Sequence, residues 1–186
     1  TWGRPQPTSL ASSTAPAQIR KLPNGHLLAV WNQQSEEDIK RGYFRTRLSS
    51  AISRNGGSVW EFFQNVESIF EETRVEPGPI RRYQPEEVYF EPGLPAPERD
   101  PAYIVPGIRK GIWSYPSVLA MEDRVLIGYG YATLHEHPTK AQITRSSQIE
   151  GGYRSKIKVL PMTWFYGGKE PADNPFLENP NAPNSP

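Results

Sequence analysis

The chain has 186 residues, with 21 Lys and Arg against 20 Asp and Glu, 20 prolines and no cysteine. Because binding to a polyanion needs clustered excess charge, this balance argues against a nucleic-acid partner. The absence of cysteine excludes a disulfide framework, a thiolate zinc site and a cysteine nucleophile. No stretch approaches the roughly 18 apolar residues that a membrane-spanning helix requires, so no membrane span is expected.

The first half of the chain predicts one four-stranded antiparallel sheet within residues 17–70, after an extended N-terminal segment at 1–16. The Asn24-Gly25 pair lies between two apolar runs, which is typical of a tight hairpin turn. A polar connection at 35–42 separates this hairpin from a second one. The expected strands are 17–22, 26–32, 43–53 and 59–66.

The second half begins with a proline-rich segment at 71–112, where the prolines deny both helix and sheet hydrogen bonds. We expect an insertion or a lid loop here, because a long loop inside a compact domain is usually functional or disordered. Residues 113–168 then predict a second four-stranded unit, and a tail rich in Pro and Asn follows at 169–186. The strands expected in this unit are 114–121, 124–132, 141–146 and 156–165.

The turn between the third and fourth strands has the spacing of an Asp-box, Ser-x-Asp-x-Gly-x-x-Trp, with asparagine in the aspartate position. A short polar side chain can bond the turn backbone, glycine can adopt a left-handed conformation, and tryptophan can pack the turn against the sheet. These roles are structural rather than catalytic. The residues are Ser53-Arg54-Asn55-Gly56-Gly57-Ser58-Val59-Trp60.

Together with this turn, four further segments resemble the sialidase-like, BNR-repeat β-propeller family. Residues 15–32 are similar to a strand pair of the family that ends in a Leu-Leu-x-Val-Trp-Asn run, here Leu27 to Asn32, and 45–53 is similar to the strand before its Asp-box. Residues 113–129 and 156–166 are similar to later blades. The resemblance implies an all-β fold of four-stranded antiparallel blades from a six-bladed β-propeller. This chain would supply only the C-terminal part, so missing N-terminal blades or another chain would complete the propeller.

The resemblance further implies an exo-sialidase-like glycosidase that acts on terminal acidic sugars of glycans, without a cofactor or a metal. Such enzymes grip the sugar carboxylate with arginines and use a tyrosine nucleophile, a neighbouring glutamate and an aspartate acid/base. Carried onto this sequence, the catalytic candidates are Tyr115 and Glu67, and the substrate-binding candidates are Arg45, Arg47 and Arg109. The active site would be incomplete in this chain, and the resemblance favours a secreted or periplasmic location.

Each candidate also has a plain structural interpretation. The arginines and Glu67 can be solvated surface charges, and Tyr115 can be a packed aromatic residue. His135-Glu136-His137 precedes a proline and is more typical of a loop than of a metal site. The aromatic residues at 129, 131 and 164–166 can be a sugar-stacking platform or inter-blade core. The alternative function is therefore a non-catalytic propeller that binds glycan or protein, with 71–112 as a contact arm.

Overall fold

A computed structural model describes residues 8, 10–13, 15–34, 45–69, 109–135 and 149–172 of the chain. These residues form the all-β fold that the sequence predicts, with antiparallel sheets of four and three strands. They do not close into a barrel or a propeller. No helix in this part of the chain is long and apolar enough to cross a membrane.

The first sheet confirms the predicted four-strand meander, with strand order β1-β2-β3-β4. The hairpin at Asn24-Gly25 is also confirmed, because the amide of Gly25 donates to the carbonyl of Leu22 over 2.9 Å and Gly25 has a φ of 87°. Glycine accepts this left-handed conformation without steric cost. The strands are β1 (Gln18–Lys21), β2 (Leu27–Trp31), β3 (Arg47–Ser53) and β4 (Glu61–Ser68).

The second sheet has the order β5-β6-β7 and begins earlier than the sequence predicts. Its strands are β5 (Arg109–Ala120), β6 (Arg124–His135) and β7 (Ile149–Pro161). Residues 109–112 were expected in the proline-rich loop, but they pair with the end of β6, where Arg109 lies opposite His135. These four residues contain no proline, so their backbone can complete the ladder.

The predicted strand 156–165 is wrong at its end, because a 3-10 helix (Met162–Tyr166) replaces its last residues. Pro161 ends β7, and the amide of Met162 turns to donate to the carbonyl of Asp123 over 2.8 Å. The helix stops at Gly167, which is left-handed with a φ of 69°. This turn places the side chains of Phe165 and Tyr166 in the core.

Several predicted segments lie outside the described residues. They are most of the N-terminal segment, the connection 35–42, residues 71–108, the expected strand 141–146 and the tail beyond 172. The second sheet therefore has three described strands where the sequence predicts four.

The main core lies between the two sheets and the 3-10 helix. Leu28 and Val30 of β2 share it with Ile127 of β6 and Phe165 of the helix, and all four are almost fully buried. The opposite face of the first sheet is also covered, because Trp31 and Phe63 pack edge to face there with ring centres 6.1 Å apart. The first sheet is thus buried on both faces.

The second sheet is covered on one face only among the described residues. Register pairing lines up Leu119, Leu126 and Val159 across its outer face. Val159 is 54% exposed and Ile157, two residues earlier on β7, is 70% exposed. This outer face is an apolar sheet surface open to solvent within the described structure.

Candidate functional site

Tyr115 projects from a β-bulge that its neighbour Pro116 imposes. Ser114 pairs with Gly130 and Ser117 pairs with Gly128, so two residues of β5 oppose the single residue Tyr129 of β6. Proline has no N–H for the ladder and is tolerated within sheets at bulges. The backbone of Tyr115 is left-handed, with a φ of 57°, and its side chain is 59% exposed. The bulge therefore turns a tyrosine out of the sheet and into solvent.

Arg45 lies directly under the ring of Tyr115. The guanidinium carbon of Arg45 is 5.1 Å from the ring centre of Tyr115, which is a cation–π contact. Arg45 is buried, with 9% of its surface exposed, and it also has a left-handed backbone, with a φ of 52°. Arg45 and Tyr115 thus both have a left-handed backbone, which is costly for residues other than glycine, and their side chains are in contact. Such strain clusters at functional sites.

Asn32 joins the ends of the two sheets beside this pair. It is fully buried, and its Nδ2 donates to the carbonyls of Arg47 and Trp113, each over 2.8 Å. The amide of Trp113 in turn donates to the carbonyl of Arg45 over 2.9 Å. These three bonds fix the start of β3 against β5, and so they hold Arg45 and Tyr115 in register.

Glu67 lies near the end of β4, in contact with the second sheet. Its carboxylate accepts hydrogen bonds from the phenol of Tyr129 and from the ammonium of Lys156, the latter over 2.5 Å. Lys158 lies 3.9 Å from the same carboxylate and donates to the carbonyl of Val66 over 2.6 Å. Glu67 thus anchors the first sheet to β6 and β7.

The pKa values of this cluster follow from burial and charge. Burial raises the pKa of Glu67, but the hydrogen bonds from Lys156 and Tyr129 and the charge of Lys158 outweigh it and leave the pKa below its usual value. Burial and the adjacent carboxylate raise the pKa of Tyr129 far above that of an ordinary phenol. Glu67 is therefore an anion and Tyr129 a neutral phenol at neutral pH.

The structure brings two of the five sequence-derived candidates together directly, namely Arg45 and Tyr115. Arg47 begins β3 and is half-buried. Arg45 lies before this strand and has a left-handed backbone, so strand alternation does not place the two arginine side chains on one face. Glu67 bonds to Tyr129 rather than to Tyr115. Arg109 begins β5, and its side chain lies outside the described residues.

Sequence reasoning missed the cluster partners of Glu67 and the role of Asn32. Tyr129 and Lys156 are neighbours because β6 and β7 pair at that row. The alternation of Tyr129 with Tyr131, and of Lys156 with Lys158, shows which side chains share a face, but it does not show that Glu67 faces them. Asn32 follows an apolar strand, and only its complete burial marks it as a structural polar residue.

The Asp-box-like turn performs the structural role predicted for it. Asn55 Oδ1 accepts from the hydroxyl of Ser53 over 3.0 Å and from the amide of Val59 over 2.9 Å. Ser53 Oγ accepts from the amide of Gly57, which has a φ of 97°. Trp60 is buried against the second core cluster. The hydrogen bonds of Ser53 and Asn55 thus close the turn on itself.

The aromatic residues considered as a sugar platform are largely core. Tyr129, Phe165 and Tyr166 are buried, and Tyr131 stacks on Trp113 with ring centres 6.0 Å apart. His135 ends β6 rather than lying in a loop, and the two residues after it are outside the described part. Within the described ranges, no group of three side chains could hold a metal ion.

Comparisons of the chain with family models, with curated proteins and with solved structures give no match.

Proposed function

We propose that the chain is part of a sialidase-like glycoside hydrolase that acts on terminal acidic sugars, with Tyr115 as nucleophile and Arg45 as part of the carboxylate grip. The observation that carries the proposal is the contact of Tyr115 with Arg45. An exposed phenol, turned outward by a bulge, lies over a buried guanidinium at 5.1 Å. Bulges that re-aim a side chain are over-represented next to active sites.

The chemistry of the two side chains suits an anionic sugar. A guanidinium pairs with a carboxylate through two parallel hydrogen bonds, which fixes the position of the sugar ring. A neutral tyrosine avoids the repulsion that a carboxylate nucleophile would experience beside an anionic substrate. Arg47, whose carbonyl is held by Asn32 beside the same pair, is proposed as a second arginine of the grip. Arg109 is proposed as a third.

In the proposed reaction the Tyr115 oxygen bonds to the anomeric carbon as the glycosidic C–O bond breaks. The leaving oxygen takes a proton from a carboxylic acid, and the phenolic proton passes to a carboxylate base. Glu67 is proposed as that base, a role that requires it to leave Tyr129 and Lys156. Water then cleaves the tyrosyl–sugar bond and regenerates the phenol.

The two sheets are proposed to be neighbouring blades of a larger propeller. The first sheet is buried on both faces, as an inner blade would be, while the outer face of the second sheet exposes Leu119, Ile157 and Val159. Burying such apolar surface is worth about 25 cal/mol per Å², which favours a further blade on that face. The further blades would come from a longer chain or from another chain.

The test is hydrolysis of a fluorogenic sialoside by the propeller completed with its further blades. Wild type is compared with two variants of the proposed site and one control variant. We expect Tyr115→Phe to lower kcat at least about 100-fold and Glu67→Gln to lower it by a similar factor. Tyr153→Phe, an exposed tyrosine on β7, serves as the control and should leave kcat unchanged. Unchanged turnover in Tyr115→Phe would remove Tyr115 from the mechanism.

A second candidate function is a non-catalytic module that binds glycan or protein. The observation in its favour is that Glu67 is already engaged by Tyr129 and Lys156 in an arrangement that stabilises the fold. A completed wild-type propeller that binds sialic acid but does not hydrolyse the sialoside would decide for this function.

A further inference from the structure

A small pocket lies on the second sheet, between β6 and β7. Its volume is about 280 Å³, close to the lower end of the roughly 300–1,000 Å³ typical of small-molecule sites. One ring of monosaccharide size is therefore the scale of ligand that it suits. The lining residues are Tyr131, Ala132, Thr133, Gly151, Gly152 and Arg154.

Two consecutive glycines and a bulge open this pocket. Gly151 and Gly152 are both left-handed, with φ of 70° and 72°, and the β6–β7 register shifts between Tyr131 and Thr133. A Cβ atom added at Gly151 would lie 3.2 Å from Nη2 of Arg154. The glycine therefore leaves room for the guanidinium in a position that other residues would crowd.

The pocket lies on a cationic strip of β7. Arg154, Lys156 and Lys158 pair with Tyr131, Tyr129 and Ile127, so the three cations share one face. The one carboxylate described beside them is Glu67, which Lys156 and Tyr129 already satisfy. Among the described residues no acceptor pairs with Arg154. Its guanidinium is thus exposed at the end of a strip whose charge is net positive.

The other polar groups of the pocket suit a hydroxylated ring. The hydroxyls of Tyr131 and Thr133 lie 3.3 Å apart and can each donate or accept a hydrogen bond. The Tyr131 ring is held against Trp113 by stacking, so it forms a rigid wall. A guanidinium, two hydroxyls and an aromatic wall within one small pocket are complementary to a ring that bears both a carboxylate and hydroxyl groups.

We propose that this pocket is a binding site for a single acidic sugar, with its carboxylate on Arg154. The pairing of β5, β6 and β7 places Arg154 two strands, or about 10 Å, from the Trp113 row of β5. Neither Tyr115 nor Arg45 lines the pocket, so the site is separate from their contact. It goes beyond the proposed hydrolase, because binding here requires neither the nucleophile nor the base.

The test is equilibrium binding of free N-acetylneuraminic acid to the 186-residue chain, measured by calorimetry and by amide NMR shifts. We expect Arg154→Gln to weaken binding at least about 10-fold, because a charge-assisted pair is lost. Gly151→Ala should weaken it less, since the guanidinium stays but is crowded. Arg124→Gln, an exposed arginine beside Asp123 at the far end of β6, is the control and should bind as wild type does.

Three results would overturn the proposal. They are Arg154→Gln binding within about twofold of wild type, the methyl ester of the sugar binding as well as the acid, or a wild-type Kd above about 10 mM. Tyr115→Phe separates this site from the proposed hydrolase, because it should lower turnover at least about 100-fold and leave this Kd unchanged. Binding through Arg154 without any hydrolysis by the completed propeller would reject the hydrolase and retain the site. Hydrolysis together with an unchanged Kd in Arg154→Gln would reject the site and retain the hydrolase.

Discussion

The side-chain amide of Asn32 donates a hydrogen bond to the carbonyl of Trp113 over 2.8 Å, across the boundary between the two sheets. The same nitrogen donates to the carbonyl of Arg47. Asn32 is fully buried and its bond to the carbonyl of Trp113 is buried as well, so that carbonyl cannot turn to water if this donor is lost. One amide group therefore holds the two sheets in register beside the proposed active site.

Substitutions of Asn32 test whether its hydrogen bonds stabilise the contact between the two sheets. Asn32→Ala should lower the free energy of unfolding by about 2–4 kcal/mol, because the buried carbonyl of Trp113 and the part-buried carbonyl of Arg47 both lose this donor. Asn32→Asp keeps the shape but places a carboxylate against the same carbonyls, so it should be more destabilising than Asn32→Ala at pH 7. Urea unfolding gives both values. If Asn32→Asp is more stable than Asn32→Ala, the donor nitrogen of Asn32 is not the group that stabilises the contact between the sheets.

The left-handed backbone of Tyr115 predicts an unusual order of stability among its substitutions. Tyr115→Gly should be more stable than Tyr115→Ala by about 1 kcal/mol, since both lose the ring but only glycine removes the steric cost of a positive φ. At Ser117, an ordinary exposed position two residues along β5, alanine should instead be more stable than glycine. Thermal or urea unfolding of the four variants checks this. The same order at both positions would show that Tyr115 is not strained.

The ion pair of Glu67 with Lys156 predicts a pH dependence of stability. The folded pKa of Glu67 is below its ordinary value of 4.5, so the unfolded state binds the proton first as the pH falls. The stability that Glu67 contributes is therefore complete above about pH 4.5 and is lost as the pH falls through the folded pKa. We expect Glu67→Gln to be less stable than wild type at pH 7, with the difference narrowing in acid.

Asp123→Asn is the matched control for that experiment. Asp123 also has a lowered pKa because of its hydrogen bonds from Arg124, but the pair is exposed and solvent screens it. At every pH, Asp123→Asn should differ from wild type in free energy of unfolding by much less than Glu67→Gln does at pH 7. A difference for Glu67→Gln that stays constant from pH 7 to acid would contradict a role for the ionised carboxylate.

The exposed face of the second sheet predicts self-association or dye binding by the isolated chain. The double variant with Ile157→Lys and Val159→Lys should reduce both, because it places charge on an apolar face that would otherwise pack against another sheet. Its free energy of unfolding should change by no more than about 1 kcal/mol, since both side chains are exposed. Sedimentation velocity and fluorescence of a hydrophobic dye measure the effects.

Glu122→Lys, in the turn before β6, is the control for charge alone and should leave self-association unchanged. Wild-type chain that is monomeric and binds no dye would reject the idea that this face packs against a further blade.

Features that depend on neighbouring residues followed from the sequence alone. The first hairpin forms because Gly25 accepts a left-handed backbone, and the Asp-box-like turn closes because Ser53 and Asn55 bond amides within four residues of themselves. The strand pattern of the first sheet could be predicted for the same reason, since alternation and turn residues are local signals. Arg45 and Tyr115 became candidates through the resemblance to the sialidase-like family, because no local signal distinguishes them from a surface charge and a packed aromatic residue.

The sequence by itself determined the strands of the first sheet, its two turns and the all-β class, because short-range sterics and hydrogen bonding decide them. Only the tertiary structure decided that Glu67 bonds to Tyr129 and Lys156, that Arg45 lies under Tyr115 and that Arg154 borders a pocket. Glu67 and Lys156 are 89 residues apart in the chain. Their contact exists because two sheets bury their apolar faces against each other, and this packing of distant segments leaves no signal in the residues next to either partner.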